Sequence, residues 1–443
     1  MKTPISDFVK NYAKKNCSRL HMPGHKGNGF SGVEQYDITE IDGADVLYSP
    51  TGIIKESEDN ATSLFDTAHT FFSTEGSSLC IRAMIFLVCQ GKECPLILAA
   101  RNVHKTFISA AALCGADISW LYPEEGSHLC SCKISANSVK TAIESAPKKP
   151  CAVYITSPDY LGNEADIKGI SIVCREYDIP LVVDNAHGAY LHFLKSSRHP
   201  IHLGASMCCD SAHKTLPVLT GGAYLHISKK ANDKFCRHAR TALSLFASTS
   251  PSYLILQSLD LCNRYLFESF KSELVEVKEK TESLKELIRS RGFFTEGTEE
   301  LKITVNAAKS GYSGTELCNL MRLQGIECEF CDSQFAVMMF TPQNKAEDFE
   351  KTALFFSSLL PKAPLAAPKA KWTAHPIQAM SVRKAVFSNS ETVDVNLAVG
   401  RICATPTVSC PPAVPVAVSG ELITEETVEL FKQYGINKIE VIK

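Results

Sequence analysis

The stretch PLILAARNVHKTFISAAALCGADISWLYP (95–123) holds the fold in miniature. Its apolar runs PLILAA (95–100) and ISWLYP (118–123) are strand-length and have no polar face, as strands buried on both sides do. Between them HKTFISAAALCGA (104–116) has a helical pattern that closes on a glycine. Buried strand, helix and buried strand together make one unit of parallel sheet. AVYITSP (152–158), IPLVVDNAH (179–187) and GGAYLHIS (221–228) read as further strands, and IKGISIVCREYD (167–178) as a further helix. The expectation is an α/β layer on a mostly parallel sheet. In such sheets ligands sit at the carboxyl ends of the strands.

Outward from this core, residues 1–45 read as an N-terminal arm. After a short amphipathic start comes LHMPGHKGNGF (20–30), too rich in Gly, Pro and His for a regular element. A charged helix, FESFKSELVEVKEKTESLKELIRSRG (267–292), ends at a glycine and links the core to a second α/β unit from about residue 293. LLPKAPLAAPKAKWTAHP (359–376) is a connection, and CPPAVPVAVSGE (410–421) a Pro-rich loop. The expected division is arm 1–45, large domain 46–290 and smaller C-terminal α/β domain 291–443.

Of the 443 residues, 45% are hydrophobic and 21% charged, with a formal net charge of −2. That balance suits a folded protein and gives no electrostatic reason for nucleic acid or an anionic membrane as partner. Met1–Lys15 is polar and charged, so no signal peptide is expected, and no apolar window approaches a membrane span. The 18 cysteines, with Cys80, Cys89, Cys114 and Cys174 in or beside apolar runs, fit reduced buried thiols of a cytoplasmic protein. Cys130–Cys132 and Cys328–Cys331 lack the second pair that a zinc site wants, so no metal is expected.

Four short segments carry chemistry. In SAHKTLPVLTGGAYLH (211–226), Lys214 offers an amine able to form an imine, with Ser211 and His213 close enough in sequence to reach a phosphate. In LVVDNAHGAY (181–190), Asp184 ends an apolar run 30 residues before Lys214. A carboxylate there suits a ring nitrogen that must stay protonated, and Ala186 is small enough to lie under a ring; a plain helix cap is the competing reading of Asp184. FFSTEGSSLC (71–80) presents Gly76, Ser77 and Ser78 at a helix start, where backbone N–H groups cup anions. His104 follows the run PLILAA, where an imidazole can stack on a planar group.

The order of these pieces resembles fold-type I enzymes that depend on pyridoxal 5′-phosphate (PLP), and the local wording resembles the Orn/Lys/Arg decarboxylase family in its short form. The matching words are HMPGHKG (21–27), DITEIDGAD (37–45), NVHKT (102–106), DNAHG (184–188), SAHKTLP (211–217), STSPSY (248–253), Gly400–Ile402, Pro411–Pro415 and Gly420–Glu421. The resemblance spans nearly the whole chain. It implies a PLP-dependent transferase-like large domain, with Lys214 as Schiff-base lysine, Asp184 as partner of the pyridinium and His104 stacked on the ring. It assigns phosphate contacts to Gly76, Ser77, Ser78, Ser211 and His213. Thr249 or Ser250 would reach a neighbouring subunit's cofactor in a homodimer or larger even oligomer, and Glu421 would meet the substrate's distal cation. The implied reaction is decarboxylation of arginine, lysine or ornithine. Another PLP reaction, aminotransferase or aldolase in type, and a catalytically inert homologue remain alternatives.

The chain departs from the family pattern at several places. Glu75 stands where Asn is usual in the cup, Asn185 where Glu is common, and Thr405, Cys410 and Ala413 replace an acid, a tyrosine and a glycine. A carboxylate at 75 would repel a phosphate unless it pointed elsewhere.

Overall fold

The computed structural model describes residues 1–15, 17–123, 127–366, 375–408 and 414–443. The first seven strands of the chain are β1 (His69–Ser73), β2 (Leu96–Ala100), β3 (Asp117–Leu121), β4 (Ala152–Thr156), β5 (Leu181–Asp184), β6 (Met207–Asp210) and β7 (Ala223–Ile227). β5/β6, β2/β3 and β2/β4 pair in parallel, whereas β7 runs antiparallel to both β1 and β6. The expected α/β class with a mostly parallel sheet therefore holds.

Four of these strands lie within the apolar runs picked out above, and β3 overlaps its run but starts one residue earlier, at Asp117, and is only partly buried. β1 and β6 do not. HTFFS reads in sequence as the lead into an anion cup, and MCCD is too short and too rich in cysteine to stand out. Both are nevertheless almost wholly buried. Their short sequences gain strand geometry from partners distant in the chain rather than from local pattern.

The chain forms two compact units, each built from two segments. The first joins 1–91 with 167–272, the second 92–166 with 273–443. In the first unit the strand order is β1-β7-β6-β5. The helix Gly76–Cys89 shows why it belongs to this core: nine of its residues are buried, as in a helix apolar on nearly every face. In the second unit the order is β4-β2-β3. The helix Lys105–Cys114 starts on His104, whose ring accepts from Thr106 N, and ends on Gly115 at φ 68°, the left-handed stop that glycine allows.

The charged stretch expected as a helix over 267–292 is one from Phe270 to Ser290, with Phe267 and Glu268 belonging to the helix before it. Tyr253–Glu268 ends at Ser269, and Phe270–Ser290 begins again with Phe270 fully buried. Further along the second unit, β8 (Phe294–Glu296), β9 (Lys302–Asn306), β10 (Phe330–Cys331) and β11 (Phe335–Met339) make an antiparallel sheet, with helices Gly314–Leu323 and Ala346–Ser358 following in the chain. None of the described cysteines forms a disulfide, and Cys114 is half-buried rather than buried. No helix among those residues is long and apolar enough to cross a membrane.

The N-terminal segment divides in two. Pro4–Lys14 is a helix whose Ile5 and Val9 are buried within the first unit. Its start is held by Asp260: Ser6 N donates to Oδ2 at 2.9 Å, and Ser57 Oγ to Oδ1 at 2.6 Å. The glycine-rich part that follows is exposed, with Leu20, Met22 and Phe30 open to solvent.

Burial pushes the Asp260 carboxyl up to about 6, against the pull of the Ser57 and Ser6 hydrogen bonds. Its folded pKa thus lies above its unfolded one, so the folded chain binds the extra proton. The stabilisation is complete below about pH 4 and is lost as pH rises through about 6. In urea unfolding, the stability of the wild type relative to Asp260→Asn should fall by on the order of 2–3 kcal/mol across that window. A difference independent of pH would show that Asp260 titrates normally.

Candidate functional site

β6 ends at Asp210, and Ala212–Thr215 makes one helical turn directly after it. Lys214 N donates to Ser211 O at 3.0 Å, which closes the turn. The Lys214 Nζ lies 2.9 Å from His187 Nε2. His187 is buried and was not singled out in the sequence, where a His three residues after a strand looks ordinary. His213 has its Nδ1 3.0 Å from Gly222 O, and its pKa is lowered by burial and by the nearby Lys214.

The helix Gly76–Cys89 aims its N-terminus from the end of the turn after β1. Gly76 takes φ +69°, and a Cβ built there would meet nothing within 4 Å, so space is open beside it. Its N–H is already used by Gly221 O at 2.7 Å. Ser211 Oγ donates to Ser77 Oγ at 2.8 Å, so two of the expected phosphate ligands meet although 134 positions separate them. Ser78 is half-buried on the same first turn. Glu75 is engaged elsewhere: its Oε1 accepts from Ser248 N at 2.7 Å. This ties STSPSY to the cup. Within the same segment Ser252 caps the helix Tyr253–Glu268, Tyr253 donates to Asp45 O at 2.8 Å, and Thr249 and Ser250 stay exposed.

Asp184 sits at the carboxyl end of β5, 2% exposed. Its Oδ1 accepts from Ala186 N at 3.2 Å, which leaves Ala186 on a tight turn beside it. Behind this turn lies a polar network that the sequence did not announce. Asp210 is fully buried; its Oδ1 accepts from Asn185 Nδ2 at 2.7 Å, and its Oδ2 is met by His199 Nε2 at 3.0 Å and His226 Nε2 at 3.2 Å. Burial alone would raise the Asp210 pKa, yet the two imidazoles outweigh it and hold the group well below the usual carboxylate range. Ligand atoms of His199, Cys208 and Asp210 lie within 4.8 Å of one another, a spacing a metal could use. Against that use, both imidazoles already face the carboxylate, and burial pushes the Cys208 thiol far up, so it keeps its proton.

In the second unit His104 has its Nδ1 2.9 Å from Thr106 Oγ1. Glu421, the expected partner of a substrate cation, is buried and already held by this chain. It accepts from Arg101 Nη2 at 3.1 and 3.3 Å and from Val418 N at 2.7 Å. Arg101 is itself buried and lies 4.9 Å over the Trp120 ring. Burial raises the Glu421 pKa, and the Arg101 charge opposes the rise. Thr405 is half-buried, with its carbonyl accepting from Cys403 Sγ at 2.9 Å. Cys410, Ala413 and Pro411 lie outside the described residues.

Residues 3–306 match the model of the Orn/Lys/Arg decarboxylase major domain, and residues 363–435 that of the Orn/Lys/Arg decarboxylase C-terminal domain. Arginine decarboxylase of Bacillus subtilis is 30% identical over 465 residues, covering 97% of this chain and 93% of that protein. Among solved structures, lysine decarboxylase A from Pseudomonas aeruginosa superposes with a TM-score of 0.81 at 18% identity, covering 99% of this chain and 80% of that one. Serine palmitoyltransferase of Sphingomonas wittichii gives 0.57 at 13% identity, over 79% of this chain and 82% of that one. The fold is thus that of the PLP-dependent fold-type I enzymes.

Arg101→Ala would strand the Glu421 carboxylate in the interior of the second unit. The expected loss is about 3–5 kcal/mol in denaturant unfolding, mostly the cost of an unpaired buried charge. Arg101→Ala with Glu421→Gln should recover a good part of it. A single variant as stable as wild type would mean that solvent reaches the pair.

Proposed function

The chain belongs to the Orn/Lys/Arg decarboxylase family, and from that premise we propose that it is a PLP-dependent decarboxylase of a basic L-amino acid, releasing the amine and CO2. The observation that carries the reading is the gathering, within one compact unit, of the Lys214 amine on His187, the buried Asp184 carboxylate and the facing hydroxyls of Ser77 and Ser211. These residues fit the cofactor. A phosphate wants hydroxyl and N–H donors at a helix start, and the open space beside Gly76 permits close approach. An aldehyde wants an amine, and a ring nitrogen wants a carboxylate out of solvent.

PLP, when bound, supplies the aldehyde that captures the substrate amine and a ring that takes up the electron pair left by departing CO2. Lys214 would hold the cofactor through its amine. Asp184, shielded from water, keeps a proton on the ring nitrogen. Ser77, Ser78 and Ser211 hold the phosphate, with Gly76 giving room and His213 steadying the lysine turn through Gly222. His187 touches the Lys214 amine, so the two can hold the proton that returns to the substrate carbon. Ala186 leaves space beneath a ring, and the stacking role of His104 rests on the resemblance alone. So does the reach of Thr249 into a partner's site, whereas the cytoplasmic setting rests on the cysteine pattern and the polar N-terminus, and the linear division into 1–45, 46–290 and 291–443 on sequence patterning. The Arg101 contact leaves Glu421 less suited to greet a substrate cation. Arginine is the first substrate to test, because relatives at 29–30% identity along nearly the whole chain bear that activity in their names.

The test is amine and CO2 release from arginine, lysine and ornithine with added PLP. One of the three should turn over, and Lys214→Ala should lose both turnover by several orders of magnitude and the PLP adduct trapped by borohydride. An adduct that survives in Lys214→Ala, or a wild type that releases no CO2, would sink the proposal.

A homodimer belongs to this reading. Leu20 and Phe30 are 92% and 110% exposed on the glycine-rich segment, a poor arrangement for an isolated chain. A second copy covering that segment would place the interface in the obligate class, above roughly 2,000 Å². Light scattering should give twice the chain mass or a larger even multiple, falling in Leu20→Glu/Phe30→Glu. A monomeric wild type with full activity would refute the shared assembly.

A further inference from the structure

We propose that Asp210 and Asn185 are a matched carboxylate–carboxamide pair that positions His187 against the Lys214 amine. The inference rests on the reading of Lys214 as the cofactor lysine.

Asp210 faces donors only: His199 and His226 on Oδ2, and Asn185 on Oδ1. A buried anion tolerates nothing else at such range. Position 185 is also where the chain departs from its family, which commonly places a glutamate there. An aspartate at 185, isosteric with the asparagine, would oppose Asp210 at about the 2.7 Å now spanned by the amide hydrogen bond, and the longer glutamate would bring its charge to the same buried acid. With Asp210 at the end of β6, an amide is the side chain that fits, so the departure at 185 answers the acid at 210.

The pair reaches the lysine by two routes. Asn185 N donates to Cys209 O at 3.0 Å, and Gly188 N donates back to Asn185 O at 2.8 Å. The Asn185 side chain lies so close to Gly188 that a Cβ there would sit 2.1 Å from its Oδ1. The turn from Asn185 to Gly188 is therefore pinned at both ends, and the residues between them are Ala186 and His187. His187 then touches Lys214 Nζ. By the other route Asp210 directly precedes Ser211, the first residue of the Lys214 turn. One carboxylate fixes both halves of the Lys214–His187 contact.

The experiment uses isosteric exchange, read in two ways. Asn185→Asp sets two carboxylates against each other. It should lower the urea midpoint of the PLP-free protein, weaken PLP binding by roughly tenfold or more, and shift the absorption maximum of the bound cofactor. Adding Asp210→Asn reverses the polarity of the contact: the new amide donates to the carboxylate at 185, and its oxygen still accepts from His199 and His226. The exchanged protein should regain most of the midpoint, the affinity and the absorption maximum. Simple additivity of the two substitutions would overturn the pair. If Asn185→Asp fails to fold, Asn185→Ala, Asp210→Ala and their double give the same cycle, and additivity there overturns it equally. One equivalent of metal in the wild type, lost in Asp210→Asn, would overturn it too, because the carboxylate would then be a ligand. A wild type that binds no PLP would remove the cofactor reading, while the urea cycle would still judge the pair.

Discussion

A carboxylate with no access to water must be neutralised by the protein around it, and Asp210 imposes that demand on the first unit. The response is a polar chain through successive strands. Thr67 Oγ1 meets Thr70 Oγ1 at 2.8 Å, Thr70 meets His226 Nδ1 at 2.9 Å, His226 meets Asp210, and Asp210 holds Asn185. It thereby links β1, β7, β6 and the end of β5; of these, β1 and β6 lead at their carboxyl ends to Ser77 and Lys214, and β5 ends on Asp184. Hydrogen bonds to a charged group contribute about 1.5–3 kcal/mol each, so the chain is a substantial fraction of a domain's net stability. Because the network is buried and joined through specific atoms, it also restricts which residues the neighbouring positions can accept.

Much of the site was legible in the sequence because its residues sit where patterns end. Asp184 closes an apolar run, Gly76–Ser78 open a helix, and Lys214 follows a strand. What stayed hidden depends on contacts across long separations. His187 gains meaning only when the Lys214 turn folds over it, 27 positions later. Asp210 looks like the polar end of a short cysteine-rich run until His199 and His226 arrive. Glu421 resembles a free acid in sequence, but its partner Arg101 lies 320 positions away. β1 and β6 escaped for a related reason: neither has a period to read, and each becomes a strand through its neighbours.

Glu75 shows how a residue that looks misplaced can be absorbed. A carboxylate next to the proposed phosphate site invites repulsion, yet here it accepts the amide of Ser248. That contact anchors a segment whose Tyr253 also reaches back to the N-terminal region at Ala44 and Asp45. The segment STSPSY thus joins the turn at Glu75 to the last residues of the arm. Its exposed Thr249 and Ser250 are carried on a framework already fixed at both ends.

The distribution of thiols has a practical consequence of another kind. Among the described cysteines only Cys17 and Cys94 are exposed, one in each compact unit. Most of the others are deep in the core, and burial lifts Cys80, Cys174 and Cys262 to about 12 and Cys130, Cys132, Cys208 and Cys209 well above the ordinary thiol value. A thiol that keeps its proton and its cover is inert to alkylation at neutral pH. The molecule therefore carries its own set of chemical clocks: mass tags acquired at Cys208 or Cys262 would time the opening of one unit, and tags at Cys130 or Cys132 the opening of the other, residue by residue and without a probe being added to the fold.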